Sequence, residues 1–182
     1  KKKVEEPRTY KADGTYMVWE LGTSSSDLLL PDGSKYQDPA NENKAKKVNT
    51  PVLSMVKVTI HNDEVVKYEI DELQSKPYVS TPRGSQVPNL DANGYATGVT
   101  WKWNDMTKRE LEYGYGMETR GQHGEWYIQA LNLEEYWLLN GGPVDEEDVA
   151  KTSVTITYAN YTALAKKALE NAKAGIIGAI TD

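Results

Sequence analysis

Apolar and polar residues alternate most regularly between Val52 and Ile60, where Lys57 and Thr59 separate Val56, Val58 and Ile60. A period of two puts every second side chain on one face, so this run predicts a half-buried strand. His61-Asn62-Asp63-Glu64 supplies turn chemistry, and Val66, Tyr68 and Ile70 then alternate with Lys67 and Glu69. Together the two runs predict an antiparallel hairpin with one apolar face toward the core. An earlier strand is expected from Gly14 to Glu20, with Ser24-Ser25-Ser26-Asp27 as a break after it. Farther on, Val99, Trp101 and Trp103 alternate with Thr100 and Lys102, and Asp105 is placed to cap a short helix running to about Glu112.

The period lengthens toward the C-terminus. Trp126, Ala130, Leu133 and Trp137 recur at helical intervals and predict a helix from about Glu125 to Leu139, stopped by Asn140-Gly141-Gly142-Pro143. Tyr161, Leu164, Ala165, Ala168, Leu169 and Ala172 predict a last helix, with Thr157 as its cap and Gly175 as its stop. Asp32 to Asn49 is rich in Asp, Gly, Asn, Lys and Pro and reads as an exposed loop, and Lys76 to Asn93, broken by Pro77, Pro82, Gly84 and Pro88, as a second.

These elements predict an α+β fold: an antiparallel sheet around the hairpin and the Val99–Trp103 strand, with two C-terminal amphipathic helices packed on it in a single domain. The boundaries expected are a charged linker over residues 1–9, a domain over 10–175, and a tail or the start of a linker over 176–182. At 182 residues the chain suits one domain with a substantial core.

A net charge of −6 from 21 basic and 27 acidic residues argues against nonspecific attraction to nucleic acid or an anionic lipid surface. With no cysteine, disulfides, thiolate metal sites and cysteine nucleophiles are excluded, and two histidines make poor material for a metal cluster. Asp145-Glu146-Glu147-Asp148 lacks the alternating ligand spacing of a calcium loop and reads as a solvated turn. Phenylalanine is absent, so twelve tyrosines and five tryptophans carry all the aromatic area, each ring with a polar handle suited to pockets and wet surfaces as well as cores. Trp101 and Trp103 share a face whatever they do, and core packing is the first reading for both. Tyr115 and Met117, flanked by Gly114 and Gly116, sit where backbone can approach a ligand closely. No nucleophile is paired with a base, so hydrolytic or transfer chemistry is not expected.

The stretch Thr152-Ser153-Val154-Thr155-Ile156-Thr157-Tyr158, leading into Tyr161-Thr162-Ala163-Leu164, resembles the C-terminal signature of FMN-binding domains in pheromone-precursor-type lipoproteins of Gram-positive bacteria. The same domain occurs in subunits of sodium-pumping quinone reductases, where a threonine in an Asp-x-x-Ser-Gly-Ala-Thr stretch receives FMN through a phosphoester. Asp13-Gly14-Thr15-Tyr16, the Val56–Ile70 hairpin, Trp101-Lys102-Trp103-Asn104, Thr107-Lys108-Arg109-Glu110-Leu111, Tyr113-Gly114-Tyr115-Gly116-Met117 and Glu125-Trp126-Tyr127 extend the resemblance over most of the chain. Ser153 stands where the family has glycine, Val154 where it has alanine, and Val149 where it has aspartate.

The resemblance implies an extracellular, surface-anchored lipoprotein domain that relays electrons as a redox carrier rather than a self-sufficient enzyme. It implies FMN as cofactor, covalent at Thr155, with Ser153 as second candidate acceptor, Thr152 and Val154 in the acceptor stretch, and Tyr115 and Met117 toward the flavin. The partners it implies are a flavin transferase, a membrane quinone-linked electron donor and extracellular electron acceptors, with the membrane reached only through a lipid anchor outside this chain. The competing class is a flavin-free secreted module that binds cell-wall glycan on aromatic platforms.

Overall fold

The fold is described from a computed structural model, over residues 6–80, 89–118, 123–144, 154 and 156–181. Strands β1 (Gly14–Asp27), β4 (Lys47–His61) and β5 (Glu64–Val79) are long, and β2 (Gln37–Asp38) and β3 (Asn41–Ala45) form a small separate pair. They are followed by β6 (Val99–Trp103), a short helix α1 (Lys108–Leu111), a 3₁₀ turn (Glu112–Tyr115), helix α2 (Trp126–Leu139), helix α3 (Ala159–Ala174) and strand β7 (Ala179–Thr181). The main sheet has the order β6-β5-β4-β1-β7. Thr15 faces Thr59 and Ser26 faces Thr50, so partner numbers fall as β1 advances and the β1–β4 pair is antiparallel. β5 and β6 also pair antiparallel, whereas β7 joins β1 in parallel. The α+β class and the antiparallel sheet expected from the hydrophobic pattern are therefore present.

The predicted hairpin turn is a left-handed one: Asn62 and Asp63 have φ of 51° and 64°. Positive φ at both central positions matches the right-handed twist of the flanking strands, and Asn and Asp tolerate it better than most residues. The turn is further fixed by Asp13, which accepts the Asn62 N–H at 2.7 Å and the Asp63 N–H at 3.2 Å.

The chain divides into two compact units. Unit 1 comprises residues up to Glu20, Ser54–Asp71 and everything from Lys108. Its core joins the strand residues Tyr16, Val18, Val56, Val58, Ile60, Tyr68 and Ile70 to Trp126, Ala130, Leu133 and Trp137 of α2 and to Tyr161, Leu164, Ala165, Ala168 and Ala172 of α3. Both predicted helical stripes are thus buried, and the helices share one core with the strands of this unit. Gly175 ends α3 at φ 77°, a conformation cheap only without a Cβ. The expected cap Thr157 is exposed, and Tyr158 precedes the helix with no side-chain cap bond. Nor does Asp105 open α1: the Arg109 N–H is taken by Asp71 of β5 at 3.2 Å, so the capping carboxylate comes from a strand rather than from the preceding turn.

Unit 2, Leu21–Leu53 with Glu72–Thr107, has its own smaller core of Leu28, Leu30, Val48, Val79 and Ala96, with Tyr36, Val99 and Trp101 packed on it. Three sequence readings change here. β1 runs through the serine tract to Asp27 because its polar side chains find partners in this unit: Thr23 with Tyr95, and Ser26 with Thr50. The expected loop over Asp32–Asn49 contains β2, β3 and the start of β4. β5 continues to Val79, and its buried positions pass from even numbers at Tyr68, Ile70 and Glu72 to odd numbers at Ser75, Pro77 and Val79. A slip of one residue moves the buried set to the other side of a strand, so the period-2 signal ends at this break although the strand does not. In unit 1, residues 179–181, expected as a tail or the start of a linker, form β7.

Candidate functional site

The predicted flavin-facing residues lie in unit 1, on the segment after α1. The 3₁₀ turn ends at Gly116, whose φ of 75° is open to glycine without strain, and Glu112 holds φ 46° at the start of the turn. Tyr115 and Met117 emerge half-buried, both packed on the unit 1 core. The ammonium of Lys108 lies 5.1 Å from the centre of the Tyr115 ring and 5.4 Å from that of Trp126, so one cation is shared by two aromatic faces.

The first turn of α2 fastens this loop. Glu125, just before the helix and only 2% exposed, accepts the Met117 N–H at 2.9 Å with Oε2 and the Glu118 N–H at 3.0 Å with Oε1. Charge-assisted bonds of this kind are roughly twice as strong as neutral ones, and a carboxylate at a helix N-terminus is also favoured by the helix dipole. One turn later the fully buried Gln129 donates Nε2 to the Gly124 carbonyl at 3.0 Å and accepts the Ile156 N–H on Oε1 at 3.2 Å. Val154 and Ile156 are both core residues of unit 1. The predicted acceptor residues Thr152, Ser153 and Thr155 lie outside the described residues, as does the acidic run 145–148. The described neighbours of Thr155 on either side therefore belong to the same core as Tyr115 and Met117.

Trp126 continues this aromatic contact into α3, its ring meeting that of Tyr161 edge-on at 6.1 Å. In the first turn of α3 the Thr162 hydroxyl is buried without a hydrogen-bond partner among the described residues. On the outer side of α2, Tyr127 and Tyr113 pack edge-on at 5.6 Å. The hydrogen bond to Tyr113, then burial, then the negative field of Glu112 and Glu125 push the Tyr127 phenol up to about 12, so it is neutral at physiological pH. A second buried polar group lies on the same helix: Glu134 forms a two-pronged ion pair with Arg109 at 2.6 and 3.0 Å. Burial pushes the Glu134 carboxyl upward more than Arg109 pulls it down.

Of the predicted site, the structure thus places Tyr115, Met117 and Val154 on one core, with the backbone of Met117 held by Glu125 and that of Ile156 by Gln129. Sequence reasoning missed Glu125, Gln129 and Lys108. Glu125 and Gln129 are four apart at a helix start beside the apolar stripe, a spacing that puts both on one face; this was a usable signal. Lys108 gives no such sign, because it meets Tyr115 and Trp126 only once α1, the 3₁₀ turn and α2 are folded against one another.

In unit 2, Trp101 packs on the small core and meets Tyr95 edge-on at 6.1 Å, while Lys102 lies over Tyr78 at 4.9 Å. Trp103 departs from the core expectation: it ends the strand β6 at the sheet edge and stays 45% exposed. Among the described residues no helix is long and apolar enough to cross a membrane, and no group of three or more acidic or histidine side chains is placed to hold a metal ion. No protein-family model, no curated protein and no solved structure matches this chain.

Proposed function

We propose that this chain is an extracellular flavoprotein domain relaying electrons through an FMN joined by phosphoester to the Thr155 hydroxyl. One observation carries this reading: two segments far apart in sequence, each singled out for the flavin, are fastened to residues four apart at the start of α2. Glu125 holds the backbone at Met117, and Gln129 holds the backbone at Ile156, next to Thr155.

The residues suit the group. Tyr115 offers a half-buried aromatic ring beside the Lys108 ammonium, backed by the buried Trp126, and Met117 adds a polarizable thioether. The start of α3 follows the acceptor stretch directly; a helix N-terminus favours phosphate, and the unpartnered Thr162 hydroxyl lies in that turn. When bound, FMN supplies the redox chemistry, and the chain orients the ring and tunes its potential through stacking, charge and hydrogen bonds. A covalent link also keeps the flavin at high effective concentration in an open medium, where a weakly held cofactor would be lost. In this reading residues 10–175 act as one FMN-binding-like domain of a surface lipoprotein. It is loaded by a flavin transferase, reduced by a membrane quinone-linked donor and oxidised by extracellular acceptors.

Intact-protein mass tests the reading. Coexpressed with a flavin transferase, the protein should gain the mass of one FMN unit; Thr155→Ala should remove it and Ser153→Ala should keep it. The double substitution Ser153→Gly with Val154→Ala restores the resembled family's pattern and should raise the modified fraction. Unmodified mass for both the parent and this restored variant, beside a control domain that the transferase does modify, refutes the proposal. Exposed Trp103, near Trp101 on an edge strand, favours a second reading as a flavin-free glycan-binding module. Protein that stays colourless after such coexpression supports it.

A further inference from the structure

We infer that Glu125 is a positioning residue of the flavin site, whose carboxylate sets the backbone that presents Tyr115 and Met117 to the isoalloxazine. This inference rests on the flavin reading above. A residue in this place would ordinarily cap its own helix, because the first amides of a helix lack internal partners. Glu125 makes no such bond; it precedes α2 with extended backbone, and no side-chain cap bond forms. Its two oxygens instead accept the consecutive N–H groups of Met117 and Glu118. A buried carboxylate carries a large desolvation cost, so an acidic group at 2% exposure with both oxygens committed to one loop marks that loop as a segment whose geometry is held.

The loop so held is built for a defined shape. Gly116, in the left-handed region, lies immediately before the first clamped amide, and Tyr115, against the Lys108 ammonium, immediately before Gly116. Three constraints therefore fix three successive residues: a cation over the ring of Tyr115, a left-handed glycine, and a carboxylate on the amide of Met117. Gln129 holds the backbone at Ile156 from the next turn of the same helix. The two clamps sit on one rigid element, an arrangement that keeps a site more precise than loops alone can.

The test has two arms. In the first, amide hydrogen exchange is followed in protein carrying Thr155→Ala, where no flavin is attached. Glu125→Ala should accelerate exchange at Met117 and Glu118 about tenfold or more relative to Leu133, the effect of losing a charge-assisted hydrogen bond. In the second arm the flavin-loaded protein is compared with and without Glu125→Ala by emission lifetime. An aromatic side chain held against the isoalloxazine quenches its emission, so the lifetime should lengthen and the reduction potential should shift. Glu125→Gln keeps an oxygen acceptor and should fall between the two in both arms; it also serves in place of Glu125→Ala should that variant fail to fold. Unchanged exchange at the two amides, or faster exchange with unchanged lifetime and potential, overturns the positioning role and leaves the flavin reading standing. Wild-type protein that takes up no flavin beside a modified control removes the flavin reading and this role with it, even where the amides are protected.

Discussion

Glu134→Ala should be among the most damaging single substitutions in unit 1. Strand β6 pairs with β5 only over Ser75–Val79, so at Ile70 the outer edge of β5 lacks β6 as a ladder partner. Two side chains take its place: Glu134 accepts the Ile70 N–H at 2.6 Å, and Arg109 donates to the Ile70 carbonyl at 2.8 Å. The pair also closes on itself through two bonds, with the Glu134 side chain 7% exposed and that of Arg109 26%. Truncating Glu134 strands a buried N–H, which costs about 1–3 kcal/mol, and leaves a mostly buried guanidinium without its paired carboxylate, with only Asp71 and Glu69 remaining in its field. Breaking one side of a buried ion pair typically costs about 3–5 kcal/mol in all.

Urea melts followed by tryptophan fluorescence measure this directly. At a slope of about 2 kcal/mol/M the midpoint should fall by about 1.5–2.5 M. The double variant Arg109→Leu with Glu134→Leu should lose much less than the sum of the two single changes, since it removes both charges together. A loss below about 1 kcal/mol for Glu134→Ala, or strict additivity in the cycle, would refute the view that this pair completes the edge of β5.

Leu164→Ala removes a buried side chain from the stripe of α3 and should cost about 2–5 kcal/mol in the same melts; a loss within error would contradict the packing of that helix. Asp13 gives a pH prediction. Its hydrogen bond to Arg8, then the Asn62 and Asp63 amides, lower its carboxyl from 3.8 to about 2. A depressed carboxyl contributes stability that is complete above the unfolded value of 3.8 and is lost as pH falls through about 2. Exchange at Asn62 and Asp63 should therefore accelerate across that window and become flat in Asp13→Asn, whereas an Asp13 carboxyl carbon that titrates by NMR near its ordinary value would remove the basis for this.

The elements carried by strong local periodicity were legible: the hairpin, Val99–Trp103 and both long helices. Trp126, Ala130, Leu133 and Trp137 are all buried at the helical spacing that predicted them. The failures fall where partners from elsewhere in the chain decide the outcome. Ser24-Ser25-Ser26 has the composition of a break, yet it is a strand because β4 lies beside it and the Ser26 hydroxyl meets Thr50, while that of Thr23 just before the tract meets Tyr95. The cap of α1 was misplaced because its carboxylate, Asp71, belongs to β5. Tyr115 and Met117 were singled out by their glycine setting, and the structure places both half-buried on the unit 1 core. Glu125 and Gln129 were passed over because an acidic residue and an amide at a helix start ordinarily face water, although their spacing of four beside the apolar stripe pointed to one shared face.

In the flavin reading, Val154 is where the demands of folding and of modification would meet. It stands where the resembled family carries alanine, and it is buried in the unit 1 core two residues before Ile156, whose N–H is held by Gln129. Removing two methylene-sized groups there should cost about 1.5 kcal/mol and loosen the stretch around Thr155. If a transferase reads the local peptide by shape, the smaller side chain should also ease its access, so the same substitution lowers stability and raises modification. The sign of the change in modified fraction on Val154→Ala alone then separates two accounts of this residue. A rise with reduced stability means that core packing and flavin attachment compete at residue 154. A fall means that attachment depends on the stretch being held in place, and that Val154 acts with Gln129 as part of the clamp.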